Sequence, residues 1–293
     1  MHFSSDINRP PYEAGDAFLQ ITSGCSHGRC AFCTFYRDAP FCISPIETVE
    51  EDIKELAEGW YYPFDRIYLQ GADPFIAPFD YLMKVAELIH EYLPNVKTIG
   101  GYARVDNVRN KSVEQLRALT DEGYSNFYFG NETGDDYLLE RMDKGYKAED
   151  VVSYMSKLDE AGMPYILNFL GGLGGHGYGL SHARESAKII NRLHPTMVYA
   201  SELTLLPDTP LSQDVKKGKF VDATEEERLL EMKEFIKRLT IPTIFKAEHV
   251  TIPVPIRGRL PEDKERMLDL LDHLIEMARM GRLDHFREKV SGL

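Results

Sequence analysis

The chain has 293 residues, 43% hydrophobic and 28% charged, with a mean hydropathy of -0.33, the balance of a folded globular protein. Its formal net charge of -13 argues against a broad nucleic-acid or anionic-membrane surface, because phosphate binding needs Lys and Arg. No apolar run approaches the roughly 20 residues needed to cross a bilayer. The N-terminal MHFSSDINRPPYEAGDAF has no basic region followed by an apolar one, so it does not read as a signal peptide. A reducing cytoplasm is the expected setting, and there clustered cysteines more often bind metal or act in catalysis than form disulfides.

In chain order, AFLQITS (17–23) reads as a strand, followed by a loop carrying Cys25, Cys30 and Cys33. Ser44-Pro45-Ile46-Glu47 reads as a capping box with proline at the first helical position. Val49, Ile53, Leu56 and Trp60 then continue at helical spacing. RIYLQ (66–70) is a short buried strand ending at Gly71, YLMKVAELIHEYL (81–93) a helix, and VKTIGGYA (96–103) a strand. A second box, Ser112 to Gln115, opens a helix that suits an end at Gly123. NFYFG (126–130) is a strand, 148–162 a helix, YILNFLGG (165–172) a strand, 181–193 a helix, and MVYASELTLL (197–206) a sixth strand.

Six β-α steps with short apolar strands imply an α/β fold with a parallel sheet and right-handed crossovers. The order fits an open sheet or a barrel. In both, functional groups belong at the C-terminal strand ends, and the unusual residues cluster there. The cysteines follow strand one and Gly71-Ala72-Asp73-Pro74 strand two. Arg104 follows strand three, Asn131-Glu132 strand four, and Gly171 to Gly175 strand five. After residue 207 the pattern changes. PLSQDVKKGKF suggests a short helix, Thr224 to Glu227 a third capping box, and 244–264 a proline-rich extended stretch before a last helix from about Pro261. The expected organisation is a catalytic fold over 1–220 with a C-terminal helical extension, 221–293, packed on it.

The stretch TSGCSHGRCAFCTFYRD (22–38) holds three of the four cysteines at C-x4-C-x2-C spacing. Structural zinc wants four ligands, usually as two pairs, and only one Cys-x2-Cys pair exists here, with His27 a cramped fourth. A ferredoxin-type carrier uses four thiolates, and Cys42 is isolated before a helix. A thioredoxin-like pair leaves Cys25 unexplained. The fourth reading is a four-iron cluster on three thiolates, which leaves one iron open, as a catalytic centre requires.

At these residues the sequence resembles the radical S-adenosylmethionine (SAM) superfamily, whose signature is three cysteines in the loop after the first strand with an aromatic, here Phe32, before the last. The resemblance spans about 17–220. It implies a partial (β/α)6 TIM-like barrel and an oxygen-sensitive 4Fe-4S cluster on Cys25, Cys30 and Cys33, whose open iron is chelated by SAM. It implies reductive cleavage of SAM to a 5′-deoxyadenosyl radical that abstracts hydrogen from a small-molecule substrate, with flavodoxin or ferredoxin as electron donor. The common spacing is C-x3-C-x2-C, so this chain carries one extra residue, with Gly28 available for an unusual backbone angle.

The resemblance also implies site residues. YLQGADPF is similar to the glycine-rich segment that binds the SAM amino group, at Gly71 and Asp73; without it, Asp73 caps a turn. FGNETGDDYLLERMDKGY (129–146) resembles the "G-x-E-S-G … M-x-K-G" block of the branch containing coproporphyrinogen dehydrogenases and tRNA methylthiotransferases, with Thr133 in place of serine. Glu132 is then a ligand for the ribose or adenosyl group, and Lys144-Gly145 reads as a helix terminator. LGGLGG (170–175) lacks the pattern of a P-loop or dinucleotide fingerprint and reads as backbone approaching adenosine. Arg184 suits the SAM carboxylate or a solvated surface. Asn168, inside an apolar run, needs a partner. Tyr102 and Arg104 contact SAM or substrate. Cys42 reads as a small buried apolar residue. No second cysteine cluster exists, which argues against a methylthiotransferase. His249, Arg257 and Arg259 sit in the extended stretch, as structural residues or anion ligands. A coproporphyrinogen-dehydrogenase-like oxidoreductase is one alternative; a non-catalytic iron–sulfur or zinc protein in electron transfer or assembly is another.

Overall fold

In the computed structural model, which describes residues 1–4, 10, 13, 15–59, 63–283 and 285–287, the alternation of strands and helices is present in chain order. The first half carries β1 (Ala17–Gln20), β2 (Thr22–Ser23), β3 (Cys42–Ile43), α1 (Ile46–Glu58), β4 (Arg66–Gln70), α2 (Phe79–Tyr92), β5 (Thr98–Arg104), α3 (Val113–Asp121) and β6 (Phe127–Glu132). Then come α4 (Asp136–Arg141), α5 (Ala148–Ala161), β7 (Tyr165–Gly171), α6 (Gly179–Ile190), β8 (Met197–Glu202) and α7 (Pro210–Lys216). The chain ends with α8 (Glu225–Arg238), β9 (Thr243–Ala247), β10 (Ile256–Leu260) and α9 (Lys264–Arg279). Trp60 lies outside the described residues. No helix among them is long and apolar enough to cross a membrane.

The chain forms two compact units. The first, of Met1–Gly28, Phe35–Gly130 and Tyr154–Tyr165, holds parallel β1, β4, β5 and the start of β6, with Leu19 opposite Leu69 and Tyr102 opposite Tyr128. β2 and β3 form a separate antiparallel ribbon. Its helical side is an aromatic core in which Phe75 meets Phe127 at 4.7 Å and Phe129 at 6.0 Å between ring centroids. The buried Tyr124 hydroxyl donates to Leu82 O at 2.7 Å, as a buried phenol must find an acceptor.

The second unit, Arg29–Thr34, Asn131–Ser153 and Ile166–Leu293, carries β7, β8 and β9 in parallel and β10 antiparallel to β9. Phe169 stacks on Phe235 of α8 at 4.0 Å and on His182 of α6 at 4.8 Å. Side chains alternate along a strand, so Phe169 fixes the helix-facing side of β7, and Asn168 lies on the other.

The capping boxes at Ser112 and Thr224 are both formed. Ser112→Ala is expected to cost about 1 kcal/mol, seen as a lower urea midpoint with an unchanged slope. The box at Ser44 is not formed: α1 starts at Ile46, with Pro45 at its cap and no side-chain capping bond. The Ser44 hydroxyl is instead 3.1 Å from His2 Nε2. The stretch 244–264 is also more ordered than its prolines suggest. Pro253, Pro255 and Pro261 fall outside β9 and β10, so neither strand loses a ladder donor. The six expected strands are thus followed by two more.

Candidate active site

The cysteine loop is anchored separately in the two units. In the first, Asp73 fixes the turn after Cys25. Its Oδ1 accepts the Ser26 backbone N–H at 3.1 Å, its Oδ2 accepts the Ser26 hydroxyl, and Asn107 Nδ2 donates to Oδ2 at 3.2 Å. Burial raises the Asp73 carboxyl above its ordinary value, against the pull of these donors. Both oxygens are therefore engaged in shaping the loop. Gly71 has φ +117°, and an added Cβ would collide with the Thr22 hydroxyl and stand 2.7 Å from Thr22 O. Gly71→Ala is expected to destabilise by about 1–3 kcal/mol, measured by thermal unfolding. Arg104 is buried, with Nε and Nη2 on the two Asp106 oxygens at 2.9 and 3.0 Å. Its backbone N–H donates to Asn107 Oδ1 at 2.9 Å, so Asn107 joins Arg104 to Asp73.

In the second unit, Cys30 and Cys33 close a turn, with Cys33 N–H donating to Cys30 O at 3.2 Å. Ala31 between them is held on both sides. Its N–H donates to Met142 O at 3.0 Å, and its carbonyl accepts Leu211 N–H at 2.9 Å. Phe32 packs on the apolar cluster of Met142, Leu173, Leu203, Leu211 and Phe220. Lys144 stands 5.9 Å from the Phe32 ring centroid, and its buried ammonium pairs with Glu132. Glu132 has φ +55°, a left-handed conformation for a side chain other than glycine, of the kind that collects at functional sites. Sequence reading found Glu132 but gave Lys144 only a terminating role. The Lys144 N–H does close on Leu139 O at 3.0 Å, yet the side chain belongs to the site.

The glycine run after β7 completes the second unit's site. Gly172, at φ +75°, leaves no room for a Cβ, which would strike the Arg228 guanidinium. Asn168 Oδ1 is buried without a hydrogen-bond partner, and neither amide atom of the fully buried Asn131 has one. Such groups are costly unless something bonds them. Asn131 was placed by sequence only as the neighbour of Glu132.

Other expected residues stand elsewhere. Arg184 is half exposed and pairs with Glu234 Oε1 at 2.8 Å, so its guanidinium is engaged on the surface with α8. Cys42 is exposed, not buried, because β3 pairs only through its backbone with β2. His249 Nδ1 is 2.9 Å from Thr251 Oγ1, and burial lowers its pKa from the ordinary value. Arg257 is exposed on β10, 3.4 Å from Glu248.

The family model for the radical SAM superfamily matches residues 19–190. The chain belongs to the radical SAM superfamily. Members of that superfamily are enzymes of SAM-dependent radical chemistry that work with a 4Fe-4S cluster and SAM. A curated relative, the heme chaperone HemW of Bacillus subtilis (strain 168), is 25% identical over 188 residues, 64% of this chain and 49% of HemW. The chain thus spans about half the length of that relative. Among solved structures, the cobalamin-dependent SAM radical enzyme OxsB, with aqua-cobalamin and SAM bound, gives a TM-score of 0.61 at 14% identity over 90% of this chain and 46% of OxsB. Coproporphyrinogen III oxidase (HemN) from Escherichia coli gives 0.56 at 14% identity over 76% of this chain and 51% of HemN. These likenesses show the fold: α/β with largely parallel strands, the partial-barrel architecture of the superfamily.

The residue types suit both cofactors. Cys25, Cys30 and Cys33 are half-buried cysteines outside any disulfide, thiols of the kind that ligate iron–sulfur clusters, although among the described residues no three ligand side chains are gathered for one metal ion. The glycines bring bare backbone to a strand end, and Asn168 offers an unbonded acceptor.

Proposed function

We propose that the chain holds a 4Fe-4S cluster on Cys25, Cys30 and Cys33, cleaves SAM reductively, and removes a hydrogen atom from a small-molecule substrate. The observation that carries this reading is the Cys30–Cys33 turn, fixed to Met142 and Leu211 and backed by Phe32, Lys144 and Glu132. When bound, cluster and SAM supply the radical chemistry, with an electron from a flavodoxin- or ferredoxin-type donor. The chain's own residues bind and orient. Asp73 and Asn107 shape the turn beside Cys25. Lys144 pairs with Glu132 and holds it at the end of β6, where its carboxylate would accept hydrogen bonds from the ribose hydroxyls of SAM. The backbone of 171–175 would receive the adenosine, and Asn168 Oδ1, buried without a partner, would accept from SAM or substrate.

Anaerobic reconstitution tests the reading. The expected protein is brown, carries roughly four irons per chain, and yields 5′-deoxyadenosine with SAM and dithionite. A colourless protein with one zinc would overturn it. The likeness to HemN supplies one specific substrate reading, a coproporphyrinogen-dehydrogenase-like oxidoreductase, whereas HemW is a heme chaperone. Oxidation of coproporphyrinogen by the reconstituted enzyme is its test, and SAM cleavage without that oxidation rejects it.

A further inference from the structure

The glycine run rests on a buried ionic bed supplied by residues 221–231 and β8. Glu202 lies opposite Gly171 in the β7–β8 register, and a Cβ on Gly171 would come within 2.6 Å of its carboxylate. Arg228 is fully buried beneath Gly172. Its Nη1 donates to Glu202 Oε2 at 3.0 Å, its Nη2 to Asp222 Oδ1, and its Nε to Ala223 O at 3.2 Å. Gly172 N–H donates to Glu231 Oε2 at 2.8 Å, and the other Glu231 oxygen is 2.5 Å from His182 Nδ1. Farther along, His176 N–H donates to Val221 O at 2.8 Å and Gly177 N–H to Glu227 Oε1 at 2.9 Å. Three backbone N–H groups of the run, at 172, 176 and 177, are thus bonded to residues 221–231.

This pattern exceeds what packing a helix onto a strand requires. Charges this buried are tolerated only when each has its partner, and removing one leaves the others uncompensated. Burial pushes Glu202 up to about 8 even beside Arg228, so the desolvation is severe. A glycine-rich segment has many conformations in the absence of side chains, and a ligand that must order it binds more weakly by that cost.

We propose that Arg228 and Glu231 are positioning residues that hold the 171–177 backbone ready for the adenosine of SAM, making 221–231 part of the cofactor site. The inference rests on the reading that this run meets SAM. It also means that the stretch read from sequence as a C-terminal extension completes the catalytic fold.

The test uses the full chain, wild type and Arg228→Lys, Glu231→Met and Glu231→Gln. Lysine keeps the charge but has no fork to span Glu202 and Asp222. Glutamine keeps an acceptor for Gly172 N–H, and methionine has none. Three readouts are taken: peptide-level hydrogen exchange over 168–178 without SAM, SAM affinity of the reconstituted protein by calorimetry, and KM for SAM against kcat. Arg228→Lys and Glu231→Met are expected to speed exchange in that peptide and weaken SAM by roughly tenfold. Iron content and kcat at saturating SAM should stay within about twofold of wild type, with the loss appearing in KM. Glu231→Gln should restore most of the affinity. Ser112→Ala, in the other unit, controls for lost stability alone and should leave KM for SAM unchanged.

Folded variants with wild-type exchange and wild-type SAM affinity would overturn the proposal. So would an equal KM increase in Ser112→Ala. If Arg228→Lys fails to fold, the Glu231 pair decides alone. A wild-type protein that builds the cluster yet neither binds nor cleaves SAM sinks the underlying site reading instead, a result the variants need not be made to see.

Discussion

Cys30→Ala is expected to remove the cluster and with it all SAM cleavage. On the proposed ligand set, three thiolates serve three irons, and Cys25 and Cys33 are already committed when Cys30 is lost. The variant should lose the brown colour, fall from roughly four irons per chain to less than one, and give no 5′-deoxyadenosine above the no-enzyme background. The effect is on ligation rather than folding, because the turn is held by Ala31, Met142 and Leu211 through backbone bonds that alanine at position 30 retains. Circular dichroism of the apo-variant should therefore match apo wild type. A variant with full cluster and activity would show that the ligand set is wrong. Cys42→Ala should leave iron content unaltered, since Cys42 is exposed on β3.

Lys144→Met is expected to have the largest effect on stability. The Lys144 side chain is 3% exposed and that of Glu132 15%. Removing the ammonium leaves a mostly buried carboxylate without its partner, on a residue already in a left-handed conformation. Breaking such a pair costs about 3 kcal/mol or more, which for a chain of this size lowers the melting temperature by roughly 6–12 °C. The double variant Lys144→Met/Glu132→Gln should recover part of that loss, because the stranded charge is gone. Thermal unfolding of the four proteins in the cycle measures the coupling. Additive losses would show that the pair contributes nothing to the fold.

The strand ends were legible because special backbone and reactive side chains are rare within apolar strands. Gly71, Glu132 and the glycine run all stand where a β-α alternation predicts chemistry. What sequence could not supply was partnership. Asp73 reads equally as ligand or turn-former until Ser26 and Asn107 are seen to engage both its oxygens. Lys144 follows a short helix, so its terminating role was visible, while its pairing with Glu132 twelve residues earlier needed the fold. Arg184 had the right charge, and Glu234, fifty residues away, decides its surroundings. The Ser44 box failed for the same reason, since a distant His2 meets its hydroxyl. β9 and β10 were hidden by prolines that turn out to punctuate the strands rather than interrupt them.

β10 closes the strand order of the second unit, with β9 on its one paired side. A terminal strand presents backbone donors and acceptors that can recruit another chain, but here Arg259 N–H donates to Asp263 Oδ2 at 2.8 Å, Arg259 O accepts Asp263 N–H at 2.7 Å, and Arg257 O accepts from Arg266 Nη2 at 2.9 Å. Arg257 and Arg259 alternate along β10 and both point into solvent. The start of α9 thus covers the outer edge of β10 with its own side chains, and the two arginines keep their backbone bonded while their charged ends stay in solvent.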